Sequence, residues 1–431
     1  MKYIISTLGC KVNQYETQAM EALLRAHGHE SAAPGEIADA VIVNTCAVTA
    51  ESGRKSRQTI RRLRDENPGA VVAVCGCYSQ LSPEESAEIG ARVIFGSSDH
   101  VRFVEEVEKA VGGGEGCRAV DEPFRRRAFE TLPAGAVAGR TRAMLKIQDG
   151  CVNFCTYCII PYTRGRLRSL PLADAAAGTA RIAAAGYREL VLTGIEVASY
   201  GVDLPGRPGL TELIETVAAV SGDMRIRLGS LEPTVVTEDF CRRLAATGKL
   251  CRHFHLSLQS GCDRTLKAMN RKYDTAAFYR AAELLRRYFP GCGLTCDLIT
   301  GFPGETERDQ AETLAFIRRC AFSDMHVFPY SRRPGTPADR MPDQCSNAVK
   351  AARAHEAQAV GREMQRAFLE QSVGQVLPVL FETESAGRSA GHSDTYVLVS
   401  VPTPGLRGRT LPVRITGVDG EQLTGECIPD A

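Results

Sequence analysis

The residues with the clearest chemical meaning are three cysteines in one short loop, Cys151, Cys155 and Cys158, with no histidine nearby. A closed structural zinc site needs four ligands, typically two Cys pairs or a Cys pair with a His pair. Three thiolates instead suit a cubane iron–sulfur cluster in which the protein holds three irons and leaves the fourth open. Because an open iron can bind a small molecule, this spacing predicts an enzyme.

Three more cysteines, Cys10, Cys46 and Cys77, each follow a predicted strand. Residues 1–135 alternate β-branched runs with amphipathic helices, which predicts a doubly wound parallel sheet. Ligands of such sheets gather beyond the carboxyl ends of the strands, so these cysteines predict a shared metal site. Buried Cys is also a common core residue, and Cys75 competes with Cys77 as a ligand. We favour Cys77 because it lies past the strand, in the turn.

The remaining sequence predicts two further domains and a connector. Residues 140–345 repeat strand–helix pairs, which predicts an open (βα)6 barrel whose working face lies at the strand carboxyl ends. Residues 346–372 are predicted to form one long polar helix, Asn347–Gln371. Residues 373–431 carry short strands between Gly and Pro turns, which is typical of a small antiparallel β-barrel.

Apolar periodicity and turn residues predict the elements within each part. The first part has strands at Lys2–Thr7, Ala40–Asn44, Ala70–Val74 and Val93–Phe95, and helices at Glu16–His27, Glu51–Glu66, from Ser82, and at Val101–Val111. The second part has strands at Arg142–Gln148, Glu189–Thr193, Met224–Leu228, His253–Leu258, Gly293–Thr300 and Asp324–Phe328. The third part has strands at Val376–Glu382, Thr395–Val401 and Thr410–Thr416.

Composition narrows the compartment and the partners. The chain has no apolar run long enough for a signal peptide or a membrane span, so we expect no membrane association. Sixteen cysteines without a secretion signal predict a reducing compartment, the cytoplasm. Lys and Arg (52) balance Asp and Glu (51), so net charge does not indicate a partner.

Local charge is more informative than net charge. Basic runs on the second helix, before the Cys151 loop and after it predict a polyanionic substrate such as RNA. These residues are Arg54, Lys55, Arg57, Arg61, Arg62, Arg64, Arg125, Arg126, Arg127, Arg140, Arg142, Lys146, Arg164, Arg166 and Arg168. The C-terminal segment is net acidic, and by itself it would bind RNA poorly.

These motifs together resemble a known family over nearly the whole chain. The CxxxCxxC loop, with Tyr157 before its last Cys, resembles the radical S-adenosylmethionine (SAM) enzymes. The segments Leu8–Gln14, Asn44–Cys46 and Gly76–Tyr78, with a terminal barrel similar to a TRAM domain, resemble the methylthiotransferases of that superfamily. Residues 9–17 and 255–262 are most similar to the branch that modifies threonylcarbamoyladenosine at position 37 of tRNA.

The resemblance implies two [4Fe-4S] clusters and SAM as cofactors. Cys151, Cys155 and Cys158 would hold the cluster that binds and cleaves SAM, which gives a 5′-deoxyadenosyl radical. Cys10, Cys46 and Cys77 would hold an auxiliary cluster that presents the sulfur. It also implies tRNA as substrate, a flavodoxin- or ferredoxin-like electron donor and a monomeric enzyme.

Three residues are expected to contact SAM. Tyr157 would lie on the adenine side, and Gly301, in a glycine-rich turn, would offer its backbone. Glu196 would receive the methionine amino group or pair with a nearby Arg. Cys262 is expected to be an incidental small residue.

Other functions remain open at this point. The isopentenyladenosine branch usually has a Gln-Met-Asn variant after the first Cys, and the ribosomal-protein branch differs after the barrel Gln. An alternative from another class is a non-catalytic RNA-binding protein with structural metal, which predicts zinc and no SAM cleavage.

Overall fold

The computed structural model describes residues 1–133 and 141–428. The predicted boundary between the first and second parts, together with Arg140, falls outside the described residues. Within the described ranges, no helix is both long and apolar enough to cross a membrane.

The first domain is a six-stranded parallel sheet with strand order β2-β1-β3-β4-β5-β6. Its strands are β1 (Lys2–Thr7), β2 (Glu30–Ser31), β3 (Ala40–Thr45), β4 (Val71–Gly76), β5 (Val93–Phe95) and β6 (Cys117–Ala119). Its helices are α1 (Lys11–Ala26), α2 (Ala50–Glu66), α3 (Cys77–Leu81), α4 (Pro83–Glu88) and α5 (His100–Val111). The strand order reverses between β1 and β3, the point where doubly wound sheets bind ligands.

The central strands of this sheet are buried on both faces. β3 and β4 are buried along their whole lengths, as expected for strands covered by helices on either side. One apolar cluster packs the sheet against α1 and α5, and another packs it against α2. The edge strands β2 and β6 were not predicted, because two or three residues show no periodicity.

The second domain contains six parallel strands with helices between them. Its strands are β7 (Arg142–Asp149), β8 (Arg168–Ser169), β9 (Glu189–Gly194), β10 (Arg225–Leu228), β11 (His253–Gln259), β12 (Gly293–Thr300) and β13 (Asp324–Pro329). Its helices are α6 (Ile160–Arg164), α7 (Leu172–Ala184), α8 (Leu210–Val220), α9 (Glu238–Ala246), α10 (Asp263–Ala268), α11 (Thr275–Tyr288) and α12 (Glu307–Cys320). The additional short strand β8 runs antiparallel to β7 and was not predicted.

These strands form two sheets, β10-β9-β7-β8 and β11-β12-β13. Single bridges, Ile226 with Leu250 and Leu231 with Leu256, join them at the β10–β11 seam. The result is the predicted open barrel. On the inner face, alternate residues are partly buried in β11 and β12 and exposed in β13, so this face is open to a ligand.

The chain ends in a long helix and a small closed barrel. Helix α13 (Asn347–Ser372) packs against β13 and α12. The barrel order is β14-β15-β16-β18-β17. Its strands are β14 (Val376–Ser385), β15 (Arg388–Ser393), β16 (Leu398–Val401), β17 (Thr410–Asp419) and β18 (Gln422–Cys427).

Two details of the small barrel differ from the sequence prediction. The expectation of an entirely antiparallel barrel was wrong for one pair, because β16 runs parallel to β18. Strands β15 and β18 were missed. The inward positions of β15 are Ser389, Gly391 and Ser393, so this strand shows no apolar alternation.

Candidate active site

The loop carrying Cys151, Cys155 and Cys158 follows directly after β7. It is fastened to the end of α10, where the Asn270 side chain donates to the carbonyls of Asn153 and Phe154 at 3.3 and 3.0 Å. The Cys158 N–H donates to the Cys155 carbonyl at 2.9 Å, which closes the loop on itself. The three thiols are therefore presented together at the carboxyl end of the barrel strands.

The second cysteine triad is assembled from three separate strands of the first domain. Cys10 is the N-cap of α1 after β1, Cys46 follows β3, and Cys77 is the first residue of α3 after β4. Since β1, β3 and β4 are neighbours in a parallel sheet, the three thiols meet at its carboxyl edge. Cys75 lies within β4 instead, fully buried in the α1/α5 core, with its sulfur 4.0 Å from that of Met20.

Two glycines allow the chain to pass close to this second triad. Gly9 has φ +108°, and a Cβ there would lie 3.0 Å from the Cys46 sulfur. Gly76 has φ +101°, and a Cβ there would lie 2.4 Å from the Thr45 carbonyl oxygen. Both positions require a backbone conformation that L side chains rarely adopt, so glycine at each keeps the thiol-bearing turns open.

The spacing of the thiols fits a cluster better than a single ion. Tetrahedral zinc with Zn–S bonds of about 2.3 Å needs sulfurs within roughly 4 Å of one another. Across the described ranges, two groups bring three possible ligand atoms within 4.8 Å, and neither contains a cysteine of the two triads. Three thiols held near each other but farther apart fit the three protein-held irons of an open cubane.

The two triads are direct neighbours. One buried apolar cluster contains residues from both sites. It includes Cys77 and Ala47, which follows Cys46, from the second triad, and Ile159, which follows Cys158, from the first. Burial, and to a smaller extent Cys155 and Cys77, raises the pKa of the Cys158 thiol to about 12. Burial likewise raises the pKa of Cys77 to about 11. These thiols keep their protons at neutral pH until a metal displaces them.

A buried ion network joins the two domains beneath the triads. The Arg164 guanidinium donates from Nη2 to Glu16 Oε2 at 3.0 Å and to Asn13 Oδ1 at 2.9 Å. Lys146 Nζ lies 3.2 Å from Glu16 Oε1 and 3.3 Å from Asp149 Oδ2. Burial opposes ionisation of Glu16, but Arg164 and Lys146 outweigh it and lower its pKa.

This network corrects the expectation that all three basic runs face a polyanion. Arg164, Arg168 and Lys146 are at most 3% exposed, and they pair with buried carboxylates rather than facing solvent. Arg126 is also largely buried, against Asp121. The basic residues of these runs that remain exposed are Arg54, Lys55, Arg61, Arg62, Arg125, Arg127 and Arg166.

Glu196 lies beside the first triad, bound to Asn153 rather than to an arginine. Asn153 Nδ2 donates to Glu196 Oε2 at 2.9 Å. Burial, with the neighbouring Glu232 carboxylate, raises the pKa of Glu196 to about 8. Arg271, which the sequence prediction missed, pairs with Glu232 and places Nη1 3.1 Å from the Cys155 sulfur. A lone Arg in the polar turn after α10 carries no periodic signal that could have indicated this role.

The other two predicted SAM contacts differ in their surroundings. Tyr157 packs beside Met269 and Phe302, and burial raises its pKa well above the usual value. Gly301 has its N–H on Glu305 Oε1 at 2.9 Å, and a Cβ there would lie 2.5 Å from Lys350 Cγ. Glycine at 301 is therefore required by packing against α13, and its N–H is not free for a ligand. Cys262 lies outside both triads, 3.2 Å from Asp309.

A cavity of about 250 Å³ is lined by residues that neighbour both triads in the chain. Val48, two residues after Cys46, forms one side, and Tyr157, from the first triad's loop, forms another. Phe328 is 46% exposed although aromatic, so it offers a flat apolar surface inside the barrel. The remaining lining residues are Thr49, Gln259, Asp297, Ile299, Pro329, Tyr330 and Ser331. The arrangement suits a flat, largely apolar ring held within reach of both triads.

Comparison with known proteins agrees with this arrangement. Residues 145–317 match the model of the radical SAM superfamily, and residues 2–96 match that of the uncharacterized protein family UPF0004. The chain is 38% identical to the threonylcarbamoyladenosine tRNA methylthiotransferase MtaB of Bacillus subtilis, over 95% of this chain and 92% of that protein. It is 35% identical to the MtaB of Thermotoga maritima, over 91% and 89%.

A second group of relatives is nearly as similar. The tRNA-2-methylthio-N(6)-dimethylallyladenosine synthase of Sphingopyxis alaskensis is 37% identical over 98% of this chain and 96% of that protein. Among solved structures, the radical SAM methyltransferase TsrM of Kitasatospora setae matches with a TM-score of 0.57 at 15% identity, covering 90% of this chain and 80% of that one. That similarity concerns the fold alone. The chain belongs to the radical SAM methylthiotransferase family, whose members are enzymes that use SAM and [4Fe-4S] clusters.

Proposed function

We propose that this enzyme adds a methylthio group to carbon 2 of N6-threonylcarbamoyladenosine at position 37 of tRNA. The observation that carries the proposal is the cavity lined by residues adjacent to both triads. A purine held there is flanked by Val48 from the auxiliary side and Tyr157 from the SAM side. The reaction needs one site that abstracts a hydrogen and one that presents sulfur, and a base between them serves both.

We assign the cysteines to two clusters. Cys151, Cys155 and Cys158 hold the cluster that binds SAM, and Cys10, Cys46 and Cys77 hold the auxiliary cluster. When bound, these groups supply reductive cleavage of SAM and the sulfur that is transferred. Arg271 donates to the Cys155 sulfur, and such hydrogen bonds tune the reduction potential of a cluster.

The residues around the first triad prepare the SAM site. Asn153 holds the Glu196 carboxylate beside Cys151, where it accepts from the methionine amino group. Tyr157 borders the cavity and packs against the adenosyl side. We do not assign Gly301 an N–H contact to SAM, since Glu305 already accepts from that group.

Several wider assignments accompany this function. We propose an N-terminal domain at 1–135, a barrel domain at 140–345, a connecting helix at 346–372 and a C-terminal small barrel at 373–431. We further propose that the enzyme is a monomer, that a flavodoxin- or ferredoxin-like protein supplies its electrons, and that it works in the cytoplasm, where it meets tRNA.

The main competing function is the same reaction on isopentenyladenosine. Relatives named for the two substrates are 38% and 37% identical to this chain, so overall identity does not separate them. The choice therefore depends on what the cavity offers to the group on N6, which differs sharply between the two nucleosides.

The test is a nucleoside assay with the anaerobically reconstituted protein, SAM and a reductant. Full-length tRNA carrying threonylcarbamoyladenosine at position 37 is compared with tRNA carrying isopentenyladenosine there, and the digested nucleosides are quantified by mass spectrometry. We expect the methylthio product from the first tRNA only. Product from the second tRNA alone, or from neither tRNA but from a ribosomal protein, would replace the proposal.

A further inference from the structure

On the inner face of the barrel, two histidine side chains lie on either side of one aspartate carboxylate. His255 on β11, Asp297 on β12 and His326 on β13 lie on adjacent parallel strands, and Asp297 and His326 are paired in register. His255 Nε2 is 3.3 Å from Asp297 Oδ2, and His326 Nδ1 is 3.3 Å from Oδ1. Neither the cluster sites nor the SAM contacts use any of the three.

This group is not part of the packed core. The His326 side chain is 60% exposed and that of Asp297 is 34% exposed, whereas His255 is 13% exposed. A structural cluster of histidines in a barrel interior would be expected to be closed off by neighbours. The carboxylate and the outer imidazole instead face open space inside the barrel, where a ligand can reach them.

The group lies at the base of the same cavity. Asp297 itself lines that cavity, together with Ile299 on the same strand and Phe328 on the next. A strand rises about 3.3 Å per residue, so Asp297 and His326 lie about 7 Å below Ile299 and Phe328. If an adenine base stacks on Phe328, a substituent on its N6 that is about 7 Å long can reach His326.

The group offers an imidazole donor and a carboxylate acceptor side by side. The hydrogen bond to Asp297 raises the pKa of His326. Burial opposes ionisation of Asp297, but the adjacent His255 and His326 imidazoles outweigh it and hold the pKa of Asp297 well below its usual range. In the part of the chain that the structure describes, His326 Nδ1 is used by Asp297 and Nε2 has no partner.

The two candidate nucleosides differ in the chemistry they bring here. The threonylcarbamoyl group carries a carboxylate, a hydroxyl, a carbonyl and one N–H group. A dimethylallyl group has only carbon and hydrogen, and placing it here would desolvate charged groups without giving them a partner. Sites built for polar groups reject analogues that lack them much more strongly than apolar pockets discriminate by size.

We propose that His326 binds the carboxylate of the threonylcarbamoyl group, while Asp297, which lies beside His255, accepts from its hydroxyl. These residues then determine specificity for this nucleoside over isopentenyladenosine. The inference rests on the proposed function and names the part of the same cavity that reads the N6 substituent.

The test compares two full-length tRNAs that differ in one group. One carries threonylcarbamoyladenosine at position 37, and the other carries the same nucleoside with its carboxylate replaced by a carboxamide. Each is assayed for methylthio product with the wild type, with His326→Gln and with the control His355→Gln. His355 is an exposed residue of α13 with the same side chain, outside the cavity.

A charge-assisted hydrogen bond contributes about 1.5–3 kcal/mol, which corresponds to roughly 10- to 100-fold in affinity. We expect the wild type to lose that factor in kcat/KM on the carboxamide tRNA, mainly through KM. His326→Gln should lose a similar factor on the natural tRNA and little more on the carboxamide tRNA. His355→Gln should behave like the wild type. Iron content and cluster spectra confirm that each variant is loaded.

Each other result rejects a specific statement. A wild type inactive on the natural tRNA rejects the proposed function itself. A wild type that is active, with His326→Gln lowering kcat equally on both tRNAs, shows a structural role and rejects the inference. One equivalent of zinc or manganese in the wild type that is lost in His326→Gln would make the three residues a metal site instead.

Discussion

Replacing Arg164 with methionine tests whether the buried ion network fixes the two cysteine sites relative to each other. The guanidinium is fully buried and bonds Glu16 of α1 and Asn13, both of which belong to the first domain. Breaking a buried pair by removing one partner typically costs about 3–5 kcal/mol, because the other charge is left uncompensated. Lys146 remains 3.2 Å from Glu16, so we expect the lower end, about 3 kcal/mol.

Thermal unfolding of the reconstituted protein measures this loss. A change of 1 kcal/mol moves the midpoint by about 2–4 °C for domains of 150–250 residues, and less for larger units, so we expect a drop of roughly 6 °C. The matched control is Arg166→Met, because Arg166 is an exposed arginine two residues away. Exposed substitutions of this kind usually change stability by less than about 0.5 kcal/mol.

The double variant Glu16→Gln, Arg164→Met completes the test. It removes both members of the pair, so its loss should be smaller than the sum of the two single losses by about 1 kcal/mol or more. Strictly additive losses, or an Arg164→Met midpoint equal to that of Arg166→Met, would show that the network does not stabilise the interface between the domains.

Three further variants address the sites themselves. Cys46→Ala should lose about one cluster's iron and all methylthio transfer but still release 5′-deoxyadenosine. Cys155→Ala should lose both methylthio transfer and the release of 5′-deoxyadenosine. Equal loss of these two activities in Cys46→Ala, with the radical cluster intact, would reject the two-site assignment. Without SAM, burial and the Glu232 carboxylate raise the pKa of Glu196 to about 8, so replacing it with a neutral amide should not lower stability. The positively charged amino group of SAM favours the ionised carboxylate, so Glu196→Gln should bind SAM about 10-fold more weakly. Calorimetric titration measures the affinity, and unchanged SAM binding would contradict the contact. Gly76→Ala should prevent loading of the auxiliary cluster, because its Cβ would lie 2.4 Å from a carbonyl oxygen. The control Gly69→Ala is also at positive φ but has nothing within 4 Å, so it should cost only about 1 kcal/mol of stability. Full iron content in Gly76→Ala would show that the turn can move.

Much of the fold could be predicted from the sequence because its strands are long, apolar and regularly separated by helices. The six parallel strands of the barrel were predicted nearly to the residue; for example, β11 begins at His253 and β12 at Gly293, as expected. Helix α1 begins at Lys11 rather than at the predicted Glu16, and Cys10 occupies its N-cap position without a side-chain hydrogen bond to the first turn. Short edge strands and the polar strand β15 were missed, since neither presents an apolar period.

The candidate site was predictable where chemistry depends on residue type, and unpredictable where it depends on burial. Cysteine spacing and strand ends were enough to group the thiols. The burial of a basic residue was not predictable, because Arg164 and Arg166 are equivalent in sequence yet one is buried and the other exposed. His326 lacked any signal, since a single histidine on a strand becomes informative only when a neighbouring strand supplies Asp297.

The two cysteine sites are built in different ways, and this difference has a physical consequence. The first triad lies within eight residues of one loop, so its geometry survives as long as that loop stays attached to α10. The second triad requires β1, β3 and β4 to be aligned at once, with tight turns at Gly9 and Gly76. Local opening of the first domain would therefore separate Cys10, Cys46 and Cys77 while leaving the Cys151 loop intact. Under the assignment proposed above, such opening would leave a radical source without its sulfur donor, so the buried Arg164 pair at the interface would protect the reaction as well as the fold.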